Sequence, residues 1–284
     1  MRIRSKFPPL LTGCSLAVNG LLLSVIVLLL LRDRGLSPAS QATSSVVQVS
    51  RVQAAPLPPP ELGPRHQLSY NEWVVLLQRE AEVVADKQPK RLTVMVGDSL
   101  SLWFPPDLLP SERSWLNQGI SGETTAGLLK RLNLFDRTEP ETIFLLIGIN
   151  DLIRGVSDET ILANQAEIIR YLRRVHPKSQ LVVQSILPHA DSRATWEGKG
   201  RLQEIANSRI RRLNQQLETI ATEQGAFYLD LHPLFTDKAG DLRTNLTTDG
   251  LHLSPQGYLV WRSALQVFDQ VKLEPSSVTK QARQ

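Results

Sequence analysis

The feature that most constrains this chain is a series of short apolar runs, each bounded by turn residues and separated from the next by a stretch of helical periodicity. The first, Leu92-Thr93-Val94-Met95-Val96, stops at Gly97-Asp98-Ser99. Others lie near Trp115–Gln118, at Thr142–Ile147 before Gly148-Ile149-Asn150-Asp151, at Gln180–Leu187 and at Ala226–Leu231. Continuous apolar runs of this length read as strands buried on both faces. Between them the spacing predicts helices over Thr124–Asn133, Glu159–Val175 and Leu202–Glu223, with a closing helix after Pro255. Ahead of the first strand, Ser69-Tyr70-Asn71-Glu72 has the form of a capping box and opens a helix to about Lys87. Strand and helix in alternation predict an α/β fold: a single three-layer α/β/α domain with a mainly parallel five-stranded sheet. Such sheets bind ligands beyond the carboxyl ends of their strands.

Charge narrows the partners. The net +4 of the 284-residue chain resides in residues 1–34, where Arg2, Arg4, Lys6, Arg32 and Arg34 oppose Asp33 alone. The other 250 residues therefore sum to zero, which argues against a nucleic-acid partner. Cys14 is the sole cysteine, so the fold rests on packing without an intramolecular disulfide. From Leu10 to Leu31 no residue is charged, a length that suits a transmembrane helix. Three basic residues precede that run, and the positive-inside rule then puts the N-terminus in the cytoplasm and the remainder outside, on the periplasmic or extracellular side. A secreted form released by signal-peptide cleavage is the alternative. The predicted organisation is an anchor over 1–34, a Pro/Ser/Ala-rich linker over 35–66, the catalytic domain over 67–272 and a disordered tail over 273–284.

Four polar clusters carry the chemistry: Gly97-Asp98-Ser99-Leu100, Asn117 to Thr124 (NQGISGET), Gly148-Ile149-Asn150-Asp151, and Asp249-Gly250-Leu251-His252. In order and spacing they resemble the blocks of the SGNH (GDSL) hydrolase family, from about Leu92 to the final helix. The resemblance implies a flavodoxin-like SGNH hydrolase fold and a serine esterase that needs no cofactor. A serine hydroxyl attacks an ester only when a base takes its proton and a third group fixes that base. Ser99, His252 and Asp249 fit these roles as the catalytic triad. By similarity the oxyanion hole consists of the backbone N–H groups of Ser99 and Gly122 and the side-chain amide of Asn150.

Competing assignments exist. Asp230-Leu231-His232 offers a second Asp/His pair, with His232 followed directly by Pro233. His66 and His176 read as linker and helix-end residues, and Asp98 and Asp151 as acids that satisfy turn N–H groups. Metal-ligand spacing such as HExxH and the nucleotide-binding phosphate loops are both missing, so no metal is expected. Trp103 and Phe104 either line the acyl pocket or pack into the core. His189 either lines the pocket or sits in a loop, and residues 188–200 with Trp196 form another candidate rim. The substrate is expected to be an ester, either lysophospholipid-like or an O-acylated glycan. An O-acyltransferase using the same triad and a non-catalytic membrane-tethered binding protein are the alternatives. The oligomeric state is left open.

Overall fold

The computed structural model describes residues 68–273, which lie within a compact unit spanning Leu62–Gln284. The expected anchor, the linker and all but the first residue of the expected tail lie outside the described residues. No helix among the described residues is long and apolar enough to cross a membrane.

Helix α1 (Tyr70–Lys87) opens on the predicted capping box, in which the Ser69 side chain accepts from the Glu72 N–H and Glu72 reaches back to the Ser69 N–H. There follow β1 (Leu92–Gly97), the one-turn α2 (Ser99–Leu102), β2 (Ser114–Gly119), α3 (Thr125–Leu129) and β3 (Thr142–Leu146). The second half comprises α4 (Ile149–Ile153), α5 (Asp158–Val175), β4 (Gln180–Gln184), α6 (Lys199–Gln203), α7 (Asn207–Glu223), β5 (Phe227–Leu229), α8 (His232–Phe235) and α9 (Pro255–Phe268). Two predicted helices are broken. The one expected over Thr124–Asn133 stops at Leu129 and resumes as a 3₁₀ turn at Leu132–Phe135, and that expected over Leu202–Glu223 is interrupted between α6 and α7.

All four strand pairings are parallel, in the order β2-β1-β3-β4-β5. Alternate residues of each central strand feed separate cores. Leu92, Val94 and Val96 of β1, with Ile143 and Leu145 of β3, pack beside Ile168, Ile169 and Leu172 of α5 and Leu217 of α7. On the other face Met95, Phe144, Leu146 and Val182 meet Tyr258, Trp261 and Leu265 of α9. Both faces of the central strands are thus sealed, which is why β1 and β3 are buried at every position. Because β2 lies on one side of β1 and β3 on the other, the chain leaves the carboxyl ends of β1 and β3 in opposite directions and opens a crevice there.

Candidate active site

Ser99 is the first residue of α2, immediately after β1. Two glycines let this turn pack close: a Cβ on Gly97 would stand 2.2 Å from the Leu146 carbonyl oxygen, and one on Gly119 would stand 2.4 Å from the Leu102 nitrogen. Asp98 caps the helix, accepting the Leu100 N–H at 3.0 Å. As the opening residue of a helix, Ser99 has an N–H with no intrahelical acceptor.

The final loop contributes the second half. Asp249 accepts the N–H groups of Leu251 and His252 at 2.9 and 2.8 Å through one oxygen, while the other lies 2.7 Å from His252 Nδ1. Burial pushes the Asp249 carboxyl up, but the hydrogen bonds from the His252 ring and the two backbone N–H groups outweigh it and hold the group below the ordinary carboxylate range. This geometry makes Nδ1 the protonated nitrogen and leaves Nε2 as the basic one. The His252 ring lies 4.4 Å from the Trp103 ring, and the backbone N–H of Trp103 donates to the Ser99 carbonyl at 3.0 Å. The imidazole therefore packs against the side chain of the residue that closes the Ser99 turn. Among the described residues no hydrogen bond joins the Ser99 hydroxyl to that ring.

Gly122 takes φ +74, a conformation that favours glycine. Its loop is held from α4. The Asn150 amide donates to the Glu123 carbonyl at 3.0 Å, and the Arg154 guanidinium donates to the Gly122 carbonyl at 2.7 Å. Asn150 thus uses one of its two amide N–H groups to fix the loop and retains a second. Asp151 accepts the Thr125 N–H and hydroxyl at 2.9 and 2.6 Å, anchoring the start of α3.

Sequence reasoning missed the hub beneath this loop. Arg131, 3% exposed, pairs with buried Glu123 and donates to the carbonyls of Gln118 and Gly97, so one guanidinium ties the ends of β1 and β2 to the Gly122 loop. A lone arginine in an amphipathic stretch carries no signal of this kind.

The remaining candidates occupy other places. His189 is wholly buried, with Nε2 2.6 Å from the Ile205 carbonyl and Nδ1 accepting the Asp191 N–H, so both ring nitrogens are engaged in holding the loop. Burial holds the ring below the usual histidine range. The 188–200 segment clamps the Asp249 loop through backbone: Thr195 and Trp196 donate to the Asp249 carbonyl and Ala190 to that of Gly250. Phe104 is 2% exposed and packs edge-on against Tyr258 and Trp261, and it also borders, with Trp103, a groove beside α1. Asp230 bonds the backbone N–H of His232, whose buried Nε2 has no partner.

Residues 92–260 match the model of the GDSL-like Lipase/Acylhydrolase family. An N-acylneuraminate cytidylyltransferase of Streptococcus agalactiae serotype V is 29% identical over 180 residues, covering 63% of this chain and 39% of that protein. The chain therefore spans about two fifths of that relative's length. The isoamyl acetate-hydrolyzing esterase of Saccharomyces cerevisiae is 26% identical over 158 residues, covering 53% of this chain and 66% of the enzyme. Among solved structures, a Streptococcus pneumoniae protein named for platelet activating factor superposes with a TM-score of 0.62 at 27% identity, over 70% of this chain and 95% of its own.

Proposed function

The chain belongs to the GDSL-like lipase/acylhydrolase family, and from that premise we propose that it is a serine esterase that cleaves carboxylic esters through an acyl-enzyme on Ser99. The observation that carries this reading is the 2.7 Å Asp249–His252 pair, whose imidazole packs on Trp103 at the end of the turn that Ser99 opens. His252 Nε2 takes the hydroxyl proton as Ser99 Oγ attacks the ester carbonyl, and Asp249 stabilises the imidazolium that forms. The oxyanion is met by the N–H groups of Ser99 and Gly122 and by the Asn150 amide. His252 then returns its proton to the leaving alcohol, and water, deprotonated by the same ring, releases the acid.

The esterase named among the relatives supports an ester substrate. Lysophospholipid-like esters and O-acylated glycans are the substrate classes proposed, and an acceptor hydroxyl in place of water would make the same intermediate a transferase. Turnover of p-nitrophenyl acetate by the wild type and by Ser99→Ala tests the reading. Loss of activity in the variant is expected; equal rates would overturn it.

A further inference from the structure

Asp249 holds the His252 ring by one nitrogen, 2.7 Å from Nδ1. A single hydrogen bond fixes one edge of an imidazole and leaves the ring able to pivot about it, yet the His252 side chain is only 12% exposed. The indole of Trp103 supplies a second contact, with ring centroids 4.4 Å apart and ring planes inclined at 38°. A planar ring held at an edge and against a broad surface has a defined orientation, which proton transfer requires.

Trp103 belongs to the turn that carries Ser99. Its backbone N–H donates to the carbonyls of Ser99 and Ser101 and so closes α2. The next residue, Phe104, is packed into the core against Tyr258 and Trp261 of α9, and the Tyr258 hydroxyl donates to the Leu100 carbonyl at 3.1 Å. Helix α9 itself begins at Pro255, three residues after His252. The Ser99 turn and the His252 loop are therefore clasped at two levels, a buried one at Tyr258 and a partly buried one at Trp103. The upper level is the one that touches the imidazole.

An indole does more there than fill space. Its π-face carries partial negative charge and attracts a cation within about 6 Å of the ring centroid, a distance the imidazole meets. We propose that Trp103 is a positioning residue for His252: it sets the angle of the imidazole and stabilises the imidazolium that forms when the ring takes the Ser99 proton. The proposal rests on the serine-esterase reading above. The imidazolium forms twice in each turnover, once as Ser99 attacks and once as water does, so loss of the indole slows both steps alike. kcat then falls while KM stays nearly constant.

Hydrolysis of p-nitrophenyl acetate by the wild type, Trp103→Phe and Trp103→Leu tests this, with thermal melting to check each fold. Leucine keeps an apolar side chain without a π-face, and phenylalanine keeps a smaller one. The expected loss in kcat is about tenfold for Trp103→Leu and about threefold for Trp103→Phe, with KM within twofold in both. Trp103→Leu is then repeated in a His252→Ala background, where no imidazole remains to be oriented and the residual rate is expected to change less than twofold. Should Trp103→Leu not fold, Trp103→Phe carries the comparison in both backgrounds. A rise in KM at constant kcat, equal losses in the two variants, or a loss that persists without His252 would overturn the proposal and leave Trp103 a wall or a packing residue. Ser99-dependent hydrolysis untouched by either substitution would overturn it as well. Hydrolysis that is absent, or indifferent to Ser99→Ala, would instead remove the esterase reading and the proposal with it.

Discussion

Asp98 adjoins Ser99 and has an unusual environment. It is fully buried, one oxygen caps Leu100 and the other lacks a partner. Burial drives its pKa up to about 7, against the opposing pull of the Leu100 N–H and of His252. The folded state thus holds a proton that the unfolded chain, with a carboxyl near 4, has already lost. That contribution to stability is complete at the acid end and disappears as pH rises through about 7. Asp98→Asn keeps a capping oxygen and cannot ionise. Its melting temperature relative to wild type is therefore expected to be more favourable at pH 8 than at pH 5, and a pH-independent difference would count against this account. Asn150 supplies a second residue-scale prediction. With the proposed oxyanion donor removed, Asn150→Ala is expected to lose about 10²–10³ in kcat while the protein remains folded by circular dichroism; a loss under threefold would argue against the proposed role.

Between elements, the Glu123–Arg131 pair fastens the Gly122 loop to the sheet. Removing one member of a buried ion pair strands the other's charge and typically costs about 3–5 kcal/mol. Glu123→Ala is expected to show a loss of that order in urea denaturation, together with reduced esterase activity. A destabilisation below about 1 kcal/mol would mean that Arg131 is satisfied by the Gly97 and Gln118 carbonyls alone. None of this was legible in the chain, because the partners of Arg131 lie 8, 13 and 34 residues away. The broken helices escaped notice for a related reason: Leu202, Ile205, Ile210 and Leu213 all join one buried cluster, so apolar spacing runs on across the interruption between α6 and α7. The strands were readable since both faces of the sheet are covered, and β1 and β3 are buried at every position.

Across the whole molecule, the strand order 2-1-3-4-5 turns four sequence-distant clusters into one place. Ser99 follows β1, the Gly122 loop follows β2, Asn150 follows β3, and the loop that links α8 to α9 sets His252 against Trp103, the residue after the Ser99 turn. Order and spacing of these clusters could be read directly, whereas the scaffolding of loop 188–200, carried by backbone hydrogen bonds to Asp249 and Gly250, has no side-chain signature. The central claim is that Ser99, activated by His252, is the nucleophile. Labelling the intact protein with a fluorophosphonate and mapping the adduct by mass spectrometry tests it most directly. The account predicts a single adduct on Ser99, absent in Ser99→Ala and strongly slowed in His252→Ala. An adduct on another residue, or labelling indifferent to both substitutions, would contradict it.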